Sequence, residues 1–394
     1  MTTVHLRRAT LGLLTLAPDD APLVIDAGPA LDTLVLEVAG GHLSWSLLAG
    51  QEFPAAVLDD PDSAQDWLWA VYGEPVALAV ADSYPQELTA TPARPELATA
   101  LRQLAYAHWA TRWWPASTLD AIPTLDPRLL NDEITTLAEA CEMALGDAES
   151  AERQGLSDNR NAMIDPPQRS ADPKTPRESN GTEHQRWPIR PGAGGPGGGA
   201  DPHDGPGSEQ IASEQRSRAE DYALAAGGAG ATGGGLVLAR GSSGWDWRRC
   251  PPGIVDASEH AVSWQVTRAS GVSTVQVSAV TAPDCAREVP EYLRPYAQVV
   301  GSPAADSGGG SERYTVPLQR RGDAWVGSVQ APGAVETGYE ISVFVPGVGP
   351  ENPPGDESPM RERIRAYVRQ RLAGTGDDRL LTAEASAAGE DQDF

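Results

Sequence analysis

Lysine is all but missing from this chain. Lys174 is the sole example, and the 30 basic side chains face 55 Asp and Glu for a formal net charge of −25. Counterion displacement from nucleic acid needs clustered Lys and Arg, and so acidic a chain is repelled by phosphates; no nucleic-acid partner is expected. Cysteine is scarce as well. Cys141, Cys250 and Cys285 are odd in number, widely spaced and without a C-x-x-C pair. Neither a disulfide framework nor a zinc site follows, and a reducing cytoplasm is the expected compartment. No stretch approaches the roughly 20 apolar residues that cross a bilayer, so no membrane span is expected. Phenylalanine occurs 3 times, whereas Gly and Pro reach 41 and 34, so much of the length is expected to lie outside any core. The favoured Ala, Gly, Pro, Arg and Asp have GC-rich codons, which points to a high-GC, bacterial source.

What is present divides the chain. Residues 1–150 hold 6 basic against 22 acidic side chains, residues 236–373 hold 14 against 15, and residues 374–394 hold 1 against 6. The pattern predicts an α+β domain over 1–149, a small antiparallel sheet with a helix pair. Its strands are expected at Leu11–Leu16, Leu23–Ile25, Thr33–Val38, His42–Leu48 and Pro75–Ala81, with a hairpin turn at Ala39-Gly40-Gly41. A short helix follows Ser63, carrying Trp67, Leu68 and Val71. Leu97, Leu101, Leu104, Ala105, His108, Trp109 and Trp113 share one helical face before Pro115. A second long helix starts at Pro127 and is expected to stop at Gly146.

Residues 150–235 lose apolar periodicity and read as a disordered Gly/Pro-rich linker. Strand text resumes at Leu236. Val262, Trp264 and Val266 alternate with Ser263, Gln265 and Thr267, Ser270-Gly271 turns the chain, and Val275, Val277 and Ala279 continue the return strand. Several such strands predict a small antiparallel β-sandwich or barrel over 236–373, closed by an amphipathic helix at Pro359–Leu372. Residues 374–394 read as an acidic disordered tail.

Several motifs carry no chemistry. Arg7-Arg8 before Leu11–Leu16 resembles an export signal, but the run is short, lacks an A-x-A site and reads as a strand. Gly228, Gly230 and Gly233 have dinucleotide-loop spacing inside a glycine-saturated tract, with strand text rather than a helix after them. Asn180-Gly181-Thr182 is a glycosylation pattern that matters only in an exported chain. His108 shares an apolar helix face and reads as a half-buried packing residue. Asp59-Asp60-Pro61-Asp62 reads as turn chemistry, with no second acidic cluster to complete a metal site. No catalytic, cofactor or metal residues are assigned, and enzyme activity is not expected.

The contact candidates are aromatic and basic. Trp245 and Trp247 stand in irregular Gly/Ser/Arg text and are expected to be exposed, as is Trp114 beside Pro115. Arg361, Arg365 and Arg369 lie on the polar side of the last helix, where they can grip an acidic partner or fold back onto the acidic first domain. The expectation is a non-enzymatic adaptor or accessory subunit of a bacterial assembly that binds another protein. The alternatives are carbohydrate binding on Trp245 and Trp247, and a hydrolase whose site is dispersed along the sequence.

Overall fold

A computed structural model of the protein describes residues 2–9, 12–25, 28–82, 84–162, 236–301, 313–331, 339–350, 355–374 and 379–390, of which 146–162 and 390 are described by backbone alone. The proposed linker from 163 onward therefore lies outside the described residues. Six strands open the fold: β1 (Thr2–Arg8), β2 (Leu14–Ala17), β3 (Thr33–Val38), β4 (Gly41–Ser46), β5 (Ala55–Leu58) and β6 (Gln86–Ala90). They form one sheet in the order β3-β4-β5-β2-β1-β6, every neighbouring pair antiparallel. Four helices accompany them: α1 (Gln65–Tyr72), α2 (Glu74–Asp82), α3 (Pro95–Trp113) and α4 (Pro127–Ala162). Leu97, Leu101, Leu104, Ala105 and Trp109 bury the inner side of α3, and the Trp109 indole donates to the Leu31 carbonyl at 2.7 Å.

Beyond the strands β1, β5 and β6, which the sequence reading did not foresee, four details differ from it. Pro75–Ala81 is helical, because Val76, Ala77, Ala79 and Val80 bury one helical face in α2; a short apolar run does not by itself separate strand from helix. Leu23–Ile25 forms no strand, and both of its large side chains are exposed. His108 points to solvent, one position off the buried stripe. Helix α4 runs past Gly146 to Ala162, into the stretch read as linker; its Ala, Glu, Gln and Arg residues there are good helix formers.

The C-terminal part holds two antiparallel sheets. Strands β7 (Leu236–Ser243), β8 (Val262–Ala269), β9 (Val272–Val280), β12 (Gln319–Arg321) and β13 (Ala324–Gln330) make one, in the order β12-β13-β9-β8-β7. The other is β11-β10-β14, from β10 (Tyr296–Gly301), β11 (Arg313–Pro317) and β14 (Tyr339–Phe344). At the β8–β9 turn Ser270 has φ 51° and Gly271 φ 82°. Two consecutive left-handed residues match the right-handed twist of a two-residue hairpin. Val262, Val266, Val275 and Val277 are fully buried, while Trp264 is half-buried and meets Tyr339 edge-on.

Two helices finish the chain, α5 (Ser358–Leu372) and α6 (Thr382–Glu390). Helix α6 corrects the expectation of a disordered tail. Leu381, Ala383 and Ala387 are buried, and α6 packs on α4 and α5. The high acid count of the segment hid this small apolar stripe. Buried residues of the N-terminal and C-terminal parts belong to one contiguous cluster.

Candidate functional site

The two parts meet along the run Ile254–Glu259, between β7 and β8. Its backbone carbonyls accept indole N–H groups, Ile254 from Trp325 at 2.9 Å and Asp256 from Trp245 at 2.6 Å. The Asp256 carboxylate is fully buried and reaches into the N-terminal part, where it accepts from the Ser117 hydroxyl and the Thr118 N–H, both at 2.7 Å. A third donor is the Ser258 N–H at 2.9 Å, and the Ala257 N–H donates to the Ala116 carbonyl at 3.2 Å. The loop that presents Ser117 is tied off by reciprocal 2.9 Å backbone bonds between Ser117 and Ile122. Burial raises the Asp256 pKa above the ordinary carboxylate value, and the three donors oppose that rise.

Helix α5 locks onto the same run. Arg361 makes a forked contact with Glu259, Nε at 2.6 Å and Nη2 at 2.8 Å, and Arg365 Nη1 reaches Glu259 at 3.0 Å and the Ala257 carbonyl at 3.2 Å. Arg365 Nε then pairs with Asp120 at 3.2 Å, with Arg369 Nη1 at 3.9 Å from the same carboxylate. Burial works against the charge on Arg361, but hydrogen bonding to Glu259 and the charges of Glu259, Asp246 and Asp356 together offset it, so its pKa lies above the usual arginine value. Gly244 lies against Glu259; a Cβ there would stand 2.2 Å from Oε2 and 3.2 Å from the Glu259 Cα. Only glycine leaves room for the carboxylate at this position.

The tryptophans converge beside this ion-pair array. Trp113, Trp114, Trp245 and Trp247, with Arg112 and Cys250, line a small concavity between the end of α3 and the C-terminal sheets. Trp114 donates to the Pro123 carbonyl at 2.8 Å, and the Arg112 guanidinium stacks 4.7 Å from the Trp113 ring centre. Trp245 and Trp247 are only 6% and 5% exposed, which corrects the expectation of exposed indoles. Their irregular sequence context reflects the seam they fill. Arg361 and Arg365 are likewise internal, at 7% and 4%, while Arg369 is partly exposed.

A second array holds the chain end. The fully buried Glu384 carboxylate on α6 accepts from Arg371 Nε at 2.8 Å and Nη2 at 2.6 Å, from the Tyr106 hydroxyl at 2.6 Å and from the Leu381 N–H at 2.8 Å. Tyr106 lies on α3, so this array also ties the C-terminal helices to the N-terminal part. Its phenol pKa is raised, first by burial and next by the Glu384 charge.

All six contact candidates thus fall on one seam, the tryptophans around the concavity and the arginines on Glu259 and Asp120. Sequence reasoning missed their partners Asp120, Asp256 and Glu259, and the nearby Ser117 and Glu384. One signal was available: Asp256 is a lone acid within Ile254-Val255-Asp256-Ala257, the mark of a buried polar group. Among the described residues no three His, Cys, Asp or Glu side chains are grouped to hold a metal ion, and no helix is long and apolar enough to cross a membrane. The chain matches no protein family, no curated protein and no solved structure in the comparisons made.

Proposed function

We propose that this chain is a non-enzymatic adaptor or accessory subunit that binds another protein along an open sheet edge. The observation that carries the reading is the outer edge of β7. Among the described residues this strand ends its sheet, pairing with β8 alone. Leu236 and Val237 are 68% and 53% exposed, and Val272, at the same end of the sheet beyond the β8–β9 turn, is 51% exposed. Open edges invite pairing with another chain, and proteins usually blunt them with charges and bulges. Arg240 and the register irregularity between Val237 and Ala239 protect the rest of β7. Leu236 and Val237 stay exposed beside these devices, and an added strand there gains backbone hydrogen bonds together with apolar contact.

Arg361 and Arg365 of α5 are spent on Glu259, and Arg365 also pairs with Asp120, a contact between the basic helix and the acidic N-terminal part. The three cysteines are free and buried, which favours a reducing compartment such as the cytoplasm.

The test is affinity purification of the full chain from its host beside a Leu236→Glu/Val237→Lys variant. The reading expects a stoichiometric partner on the parent chain that the variant loses with its circular dichroism unchanged. A chain that purifies alone, or a variant that keeps the partner, contradicts it.

A further inference from the structure

The sheet that ends in β7 carries charge of one sign. Its strands β7, β8, β9, β12 and β13 hold Arg240, Arg268, Arg320 and Arg321 and no Asp or Glu, in a chain with 55 acidic side chains. Residues 222–235, which lead into β7, hold none either. Acids of the flanking segments lie elsewhere. Asp323 stands in the β12–β13 turn at the opposite edge, Glu340 belongs to β14 of the other sheet, and Glu259 is paired with Arg361 and Arg365. The register defines what an added strand would meet. Val237, Thr267 and Thr274 form one row across β7, β8 and β9, and Arg240, Gln265 and Gln276 form another. On β8 these rows are two residues apart, so both lie on one face. The irregularity between Val237 and Ala239 takes up the extra residue on β7. Arg240 is exposed, and among the described residues no carboxylate pairs with it.

Resting on the open-edge reading above, we propose that the partner strand is acidic: an extended peptide with an apolar side chain beside Val237 and, two positions along, a carboxylate beside Arg240. Main-chain pairing along an edge is indifferent to sequence, so the side chains at alternate positions carry the choice of partner. Arg240 repels a basic strand, gains nothing from a neutral one and pairs with an acidic one. The charge that blunts the edge thus also selects what covers it.

The test is fluorescence anisotropy of the full chain with three labelled peptides, Thr-Val-Thr-Glu-Thr-Val-Thr and the same peptide with Gln or Lys at its centre. At low ionic strength the Glu peptide is expected to bind about fivefold more tightly than the Gln peptide, the upper range of one exposed ion pair, and the Lys peptide more weakly still. The difference is expected to vanish at about 1 M salt, where exposed charges are screened. Arg240→Glu is expected to reverse the order, and Leu236→Glu/Val237→Lys to lose all three peptides. Equal affinity for the three, an order that Arg240→Glu leaves unmoved, or no saturable binding of any peptide would overturn the proposal. A host partner that Leu236→Glu/Val237→Lys loses but Arg240→Glu keeps would overturn it alone and leave the open-edge reading standing.

Discussion

Removing the Glu384 carboxylate isolates the force that holds the chain end. In Glu384→Ala the Arg371 guanidinium, 5% exposed, loses its carboxylate, and the Tyr106 hydroxyl and Leu381 N–H lose their acceptor. Breaking a buried pair from one side costs about 3–5 kcal/mol, because the remaining charge stays buried without compensation. Replacing both partners is far milder, so Arg371→Met/Glu384→Leu should recover most of that loss. In urea, a slope of about 3 kcal/mol/M places the Glu384→Ala midpoint on the order of 1 M below the parent. Native-state hydrogen exchange tells the two modes of failure apart. Loss confined to α6 and the end of α5 is local opening, and loss throughout is global unfolding. A Glu384→Ala cost below about 1 kcal/mol by both methods, or a double variant as damaged as the single one, would refute the reasoning.

Three further outcomes follow from the same contacts. Burial, with a smaller push from Glu142, raises the Cys141 thiol to about 11. Its thiolate fraction near neutral pH is then about 300-fold below that of a free cysteine, so a disulfide reagent should label the native chain far more slowly than the urea-unfolded one. Rapid native labelling contradicts this. Asp356 accepts from the Ser358 hydroxyl at 2.6 Å and N–H at 2.9 Å, which lowers its pKa. A depressed carboxylate stabilises above its unfolded pKa and loses that contribution as pH falls through the folded value. Asp356→Ala should therefore be less stable than the parent at neutral pH and equal to it near about pH 2, as denaturation at both pH values reads. Gly244→Ala drives a methyl into Glu259 and should destabilise the ion pairs to Arg361 and Arg365; an unchanged melting temperature would contradict the close approach.

The sequence made local features legible and long-range ones obscure. Helix α3 was readable from the spacing of Leu97, Leu101 and Leu104, and α4 from Pro127 at its first position. The β8–β9 hairpin was readable because its buried valines alternate and Ser270-Gly271 suits two left-handed residues. Helix α2 was lost because seven apolar-rich residues satisfy either period. The seam was lost for a different reason. Ser117 and Asp256 are 139 positions apart, and Tyr106 and Glu384 are 278 apart, so no local window contains both partners. Trp245 and Trp247 were misplaced because irregular text looks like a surface loop, whereas here it crosses the junction of two folded parts.

The open edge of β7 is the centre of the functional reading, and hydrogen exchange on the purified complex tests it most directly. In an antiparallel pair only alternate N–H groups face the neighbouring strand, which leaves an outward set on an edge strand. The account predicts that the outward amides of Leu236–Ser243 exchange fast in the free chain and become protected when the partner is bound. Protection that appears elsewhere while these amides stay fast would contradict it.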